Sequence, residues 1–193
     1  MKLYERWLGT VERFREEMAV RDVCGRVLTF GELAEAVEGM GRASGAVLVR
    51  GGGVVFLIEV LRGWRDGVAV IPVDSGEIEV AEGLPEWVAH VKVTSGSTGA
   101  AKVVLFREGQ VVADAEAIVA TMGLRREWPN VGVISMAHSY GFSNLVTPLF
   151  LYGIPLVLAE NPLPEAMRRA MAGHEAVTLA AVPAMWRAWR AAG

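Results

Sequence analysis

Apolar positions recur along this chain with a period of about 3.6 residues in some segments and about 2 in others, and the switches between the two mark its elements. Leu3, Trp7, Leu8, Val11, Phe14 and Met18 share one face, which predicts an amphipathic helix. Arg26 to Thr29, RVLT, reads as a short strand. Thr29 and Glu32 then form a capping box ahead of a helical stripe through Phe30, Leu33, Ala34, Val37 and Met40. Residues 46–49, AVLV, predict a strand, and after a glycine run VVFLIEVLRGW is apolar nearly all round, as a buried helix is. Residues 68–74, VAVIPVD, are continuously apolar, the mark of a parallel strand covered on both faces.

The acidic, irregular stretch 75–86 reads as a connection. Beyond it WVAHVKVT and KVVLF predict strands, and Val111, Val112, Ala115, Ile118, Val119 and Met122 line a helix. VGVISM, IPLVLA and AVTLAAV are further strands. FSNLVTPLFLY, the segment Pro164–Ala172 stopped by Gly173, and a last segment opened by Pro183 are helices. Strands alternating with helices predict an α/β fold with layered, mostly parallel sheets and right-handed crossovers. The chain divides on this reading into a first lobe, 1–86, and a second, 87–193, with no internal repeat. The tryptophans fall mostly on helical stripes, which points to core packing.

Composition narrows the function classes. The 193 residues are 52% hydrophobic with a net charge of −3. The mean hydropathy is +0.34 and the pI about 5.7. No basic field exists to attract nucleic acid or an anionic membrane. The high hydropathy points to apolar surface meant to be covered, and so to self-association. A single cysteine, Cys24, excludes an intrachain disulfide framework and a cysteine metal site, and it fits a cytoplasmic setting. The N-terminal MKLYERWLGTVERFREE lacks the apolar core of a signal peptide. Leu145–Ala159 is shorter than the ~20 residues of a membrane span. Pro148, Gly153 and Pro155 break it into a buried helix, a glycine turn and a buried strand.

The candidate chemistry lies in TSGSTGAAK, residues 94–102. Gly96 and Gly99 permit turns that side chains block, so that successive N–H groups can converge on an anion. Thr94, Ser95, Ser97 and Thr98 add hydroxyl donors, and Lys102 adds a mobile point charge suited to a phosphate chain. A polar hairpin loop has similar composition. The stretch is not a Walker loop, because Ala101 and Val103 stand where that pattern needs glycine and Ser or Thr. RGGGVVF, after the AVLV strand, is not a dinucleotide fingerprint, because Phe56 stands in place of the third glycine.

TSGSTGAAK resembles the phosphate-loop signature T-S-G-[ST]-T-G-x-P-K of the adenylate-forming superfamily, which includes acyl-CoA synthetases, peptide-synthetase adenylation domains and luciferases. Ala101 replaces the usual proline. The flanks agree in order: LTFGELAEAVEGMGRA, VLRGWRDGVAVIPVD, ISMAHSYGFSNLVTPLFLYGIPLVLAENP and VTLAAVPAMWRAW are each similar to family segments. The resemblance implies an incomplete N-terminal domain of the acyl-CoA synthetase-like fold and a reaction of a carboxylate with ATP, giving acyl-adenylate and pyrophosphate.

Thr94, Ser95, Gly96, Ser97, Thr98, Gly99 and Lys102 would hold the β- and γ-phosphates, with Lys102 stabilising the charge of the leaving pyrophosphate alongside Mg²⁺. His138 and Tyr140 would edge the acid pocket and Gly141 would let backbone approach the substrate. A histidine at a helix start is equally read as a structural cap. His90 and His174 match nothing in the pattern.

The family's later motifs, including its magnesium-binding glutamate and its C-terminal lysine, do not occur, so no metal ligand is assigned in this chain. The thiol acceptor in a complete enzyme would be coenzyme A or a carrier protein. The alternative reading is a degenerate adenylate-fold module that binds a nucleotide or partner without turnover.

Overall fold

The computed structural model describes residues 2–74, 83–94 and 102–192. Helix α1 (Lys2–Phe14) opens the chain. It is followed by the hairpin of β1 (Met18–Arg21) and β2 (Val27–Thr29). Met18, expected on the helical stripe, belongs to β1. The helix stops at Phe14, whose carbonyl accepts from the Glu17 N–H at 2.9 Å in a tight turn, and MAVR then pairs antiparallel with β2. Four apolar-flanked residues attached to a helical stripe were too short to register as a strand of their own.

The expected capping box is present at α2 (Phe30–Glu38). Glu32 N–H donates to Thr29 Oγ1 at 3.1 Å, and Thr29 N–H donates to Glu32 Oε2 at 2.7 Å. Next come β3 (Val47–Arg50), α3 (Gly53–Asp66) and β4 (Val70–Val73). The strands β5 (His90–Thr94) and β6 (Lys102–Phe106) and the helix α4 (Glu108–Met122) follow. The strand expected over 131–136 ends early: β7 is Asn130–Gly132, and the chain leaves the sheet where its neighbour β8 (Leu156–Leu158) also ends.

Between β7 and β8 lies a continuous helical run: α5 (Ser139–Gly141), a π-helical turn (Phe142–Val146) and α6 (Thr147–Tyr152). Gly153 ends it at φ 67°. The expected sequence of buried helix, glycine turn and buried strand over 145–159 is what the chain forms. Helix α7 (Pro164–Met171), the short strand β9 (Thr178–Leu179) and α8 (Pro183–Ala191) complete the described chain. Gly193 lies outside it.

The described residues form two sheets, ordered β2-β1-β8-β7-β9 and β3-β4-β5-β6. The pairs β1·β2 and β5·β6 are antiparallel and all others parallel. Each sheet takes strands from both sides of residue 86: β4 pairs with β5, and β1 pairs with β8. One core joins them, made of inner residues of both sheets and the buried faces of α1, α2, α3 and α6. At its centre the Trp7 and Trp64 rings meet the Phe150 ring edge-on at 5.3 and 5.4 Å. Full burial of a side chain such as Phe150 is worth about 1.5–3 kcal/mol. Trp87, Trp128 and Trp186 depart from the core expectation and are exposed. Arg107 lies over the Trp87 ring and Arg125 over the Trp128 ring, contacts that suit half-solvated indoles.

Candidate functional site

The parallel strands β4 and β5 end side by side, but they are hydrogen-bonded only at their start. Val70 N–H donates to Ala89 carbonyl at 3.0 Å, and the ladder registers a single pair, Val70 with His90. The next residue of β4 facing β5 is Pro72, which has no N–H to give. Against β3, β4 stays paired throughout, from Val47↔Val70 to Arg50↔Val73. The proline therefore frees the C-terminal end of β4 from β5 on one side only. Crevices at the carboxyl ends of parallel strands are where open α/β sheets bind ligands.

The polar stretch 94–102 begins at the carboxyl end of β5. Its outer residues, Thr94 and Lys102, face one another as the last pair of the β5·β6 ladder. The stretch thus connects two antiparallel strands directly. Ser95, Gly96, Ser97, Thr98 and Gly99 lie outside the described residues.

The H-S-Y-G segment reaches the same region from the other sheet. After β7 the chain turns through Ser135, whose Oγ donates to Asp74 Oδ1 at 2.5 Å and accepts the Ala137 N–H at 3.3 Å. His138 is the N-cap of α5, its own N–H donating to Ser135 carbonyl at 3.3 Å. Its Nε2 stands 3.3 Å from Asp74 Oδ2, with the imidazole 65% exposed. Tyr140 is also exposed, and its carbonyl accepts from Asn144 Nδ2 at 2.8 Å. Gly141 is buried, and a Cβ there would lie 2.0 Å from the Ser135 carbonyl oxygen. The close approach at Gly141 is thus made by the chain's own turn at Ser135.

The π-turn fastens this segment to the strand leading into the polar stretch. Phe142 stacks on the His90 ring with centroids 4.2 Å apart. Ser143 Oγ donates to Asp114 Oδ2 at 2.5 Å and lies 3.4 Å from Lys92 Nζ, which also sits over the Phe106 ring. Pro148, one residue into α6, cannot donate to the Asn144 carbonyl as a helical residue would. Buried Asn130 fills that place, its Nδ2 donating to Asn144 carbonyl at 3.0 Å. His90 has no such match. It is buried, its Nδ1 lacks a partner, and burial, with Lys92 nearby, pushes its pKa down to about 3.

The structure thus brings His138 and the start of the helical run to the strand ends beside β5, together with residues the motifs did not single out. Asp74, Ser135, Asn130, Lys92 and Asp114 are these. Asp74 carried a usable signal, a carboxylate closing a fully apolar strand. The others are polar residues whose partners are remote in sequence. Among the described residues no group of three or more His, Cys, Asp or Glu side chains gathers to hold a metal ion, and no helix is long and apolar enough to cross a membrane.

Known structures share the fold of this chain. The chain superposes on O-succinylbenzoate coenzyme A synthetase (MenE) from Bacillus subtilis in complex with AMP, with a TM-score of 0.80 at 16% identity, over 95% of this chain and 63% of that one. The N-terminal domain of FACL13 from Mycobacterium tuberculosis gives a TM-score of 0.81 at 12% identity, over 97% and 64% of the two chains. The N-terminal subdomain of Klebsiella oxytoca NpsA, bound to 3-hydroxybenzoyl-AMSN, gives 0.71 at 18%, over 91% and 58%. At these identities the likeness is one of fold, and the chain spans less than two thirds of each of these structures. No curated protein sequence matches. The model of the AMP-binding enzyme family matches residues 59–193, from the middle of α3 through the polar stretch and the H-S-Y-G turn. That span covers most of the chain, which therefore belongs to the AMP-binding enzyme family and corresponds to the N-terminal portion of its fold.

Proposed function

We propose that the chain is the N-terminal part of an ATP-dependent, AMP-forming carboxylic acid ligase, which activates a carboxylate as an acyl-adenylate and then passes it to a thiol. The observation that carries this reading is the position of TSGSTGAAK, bridging β5 and β6 in a family member, with the π-turn that follows H-S-Y-G fastened to β5 through Phe142 on His90 and Ser143 on Lys92. The fold relatives support the substrate classes. MenE is described in complex with ATP and magnesium ion and with the acyl-adenylate intermediate OSB-AMP, and NpsA in an artificially fused adenylation–PCP di-domain. A cytoplasmic setting suits such a reaction and the single free Cys24.

In this reading the carboxylate attacks the α-phosphorus in line and pyrophosphate leaves. The protein positions the reactants and stabilises charge. The N–H groups and hydroxyls of Thr94, Ser95, Gly96, Ser97, Thr98 and Gly99 hold the β- and γ-phosphates, and the Lys102 ammonium offsets the charge that builds on the leaving group. His138 and Tyr140 edge the acid pocket at the mouth of the strands, and Gly141 lets the helical run begin close beneath them. Mg²⁺ enters by resemblance alone. The described carboxylates are dispersed and do not fit a metal site, so no step is assigned to the ion.

Carboxylate-dependent exchange of pyrophosphate into ATP tests the reading. Lys102→Ala in a protein that carries out the exchange is expected to cut kcat about 10²-fold while changing the KM for ATP much less. An unchanged rate removes Lys102 from the chemistry. The 193 residues alone are expected to bind ATP weakly or not at all by calorimetry. Micromolar affinity with no exchange for any carboxylic acid would favour a nucleotide-binding module without turnover.

A further inference from the structure

Asp74 stands where the two sheets meet at their carboxyl ends, and neither the phosphate-loop motif nor H-S-Y-G includes it. We propose that Asp74 is a positioning residue of the site: its carboxylate holds the His138 imidazole in one orientation at the edge of the acid pocket and latches the turn after β7 to the end of β4. The proposal rests on His138 edging that pocket.

The geometry has three parts. The strand β4 places Asp74. It is paired along its whole length with β3, while Pro72 ends its bonding toward β5, so the residue after Val73 projects from an anchored strand into an opened gap. The turn at Ser135 then orients the carboxylate. The hydroxyl holds Oδ1 at 2.5 Å, which leaves Oδ2 facing His138 Nε2 at 3.3 Å. Ser135 is itself held in place, accepting from the Ala137 and His138 N–H groups.

The ring needs such a hold. With 65% of its side chain exposed, little packing restrains it, and an exposed side chain otherwise visits several rotamers. A carboxylate facing Nε2 favours the proton on that nitrogen and leaves Nδ1 as the acceptor for a ligand. A pocket edge built from an unrestrained histidine would lose orientation each time the acid binds. One tied to a strand end keeps it.

The test uses the 193-residue chain. Three-bond couplings from the His138 Cγ to its backbone nitrogen and carbonyl carbon report the χ1 rotamer, with His138→Gln identifying the signals. The wild type is expected to show one dominant rotamer. Asp74→Ala is expected to average it, and Asp74→Asn, which keeps the shape and a hydrogen-bonding group, to retain most of it. Ser135→Ala keeps the carboxylate on the end of β4 but frees its Oδ1, and is expected to leave a rotamer preference between those of the wild type and Asp74→Ala.

A single unchanged rotamer in Asp74→Ala overturns the proposal. So does averaging in Ser135→Ala as complete as in Asp74→Ala, since the turn rather than the carboxylate would then be holding the ring. In an exchange-active protein Asp74→Ala is further expected to raise the KM for the acid several-fold with the KM for ATP little changed. Failure of pyrophosphate exchange with any carboxylic acid in a longer protein that contains these residues would remove the acid-activation reading and leave the rotamer result standing.

Discussion

Asn130 and His90 are both buried, both lie on strands, and both face the π-turn, but from opposite sheets and with opposite outcomes. Asn130, on β7, meets a carbonyl that Pro148 leaves free, and its amide satisfies it at 3.0 Å. His90, on β5, gives its ring face to Phe142 and leaves Nδ1 unpaired. The first side chain repairs the backbone where a helix has been widened, and it fixes the turn to the core. The second leaves a polar atom unpaired and sits two residues from Lys92, on the strand that runs into the polar stretch 94–102. Local free energy is thus lower on the β7 side and higher on the β5 side, where ligand chemistry is expected. A buried polar group left without a partner is one of the local costs that a functional site can carry.

The π-turn itself is the support of the comparison, and the largest effect should come from pushing it away. Gly141→Ala places a methyl 2.0 Å from the Ser135 carbonyl, which is backbone and cannot rotate aside. The helical run or the turn at Ser135 has to shift, at a cost of about 3 kcal/mol or more. Denaturant unfolding of the 193-residue chain should show that loss. A cost near zero would mean that the π-turn is not held against Ser135 and that the two strands need not act through it.

Asn130→Ala should come next. It strands the Asn144 carbonyl in a dry interior and removes a fully buried side chain, which together cost about 2–3 kcal/mol. Hydrogen exchange should place the loss in the π-turn and α6. Exchange that quickens instead across β5 and β6 would reverse the assignment of which strand secures the turn.

How far the chain could be read in advance follows the same division. The polar stretch 94–102 stood out because its candidate chemistry is local: hydroxyls, glycines and a lysine stand together, and resemblance named the family that the match over 59–193 then established. The helices and the parallel strands were legible because periodicity is local as well, down to the capping box of Thr29 and Glu32. Met18–Arg21 was hidden because a four-residue strand is defined by its partners, β2 beside it and β8 far along the chain. The short β7 was overrun for the same reason. VGVISM stays apolar past Gly132, and only the end of β8 decides where pairing stops. Asp74 with His138, and Asn130 with Asn144, are meetings across the fold that no spacing announces. Pro72 was visible but mute: its effect depends on which neighbour its missing N–H would have faced.

The smallest effect at neutral pH, and the most informative about the costly side, belongs to His90→Leu. The substitution gives up the stacking on Phe142, about 0.5–1.5 kcal/mol, and removes an unpaired buried nitrogen that costs about as much, so stability near pH 7 should change by less than about 1 kcal/mol. Acid separates the two proteins. In the folded chain burial, reinforced by the charge of Lys92, holds His90 neutral down to about pH 3. Unfolded, the ring takes up a proton below about pH 6.5. The unfolded state therefore binds one more proton between those limits. His90 contributes its full share above the unfolded value, and that share is lost as the pH falls, at about 1.4 kcal/mol per unit. Urea unfolding from pH 7 to pH 5 should show the wild type losing roughly 2 kcal/mol more than His90→Leu. Parallel pH profiles would mean that His90 titrates alike folded and unfolded, and the contrast with the satisfied Asn130 would then lie in packing rather than in charge.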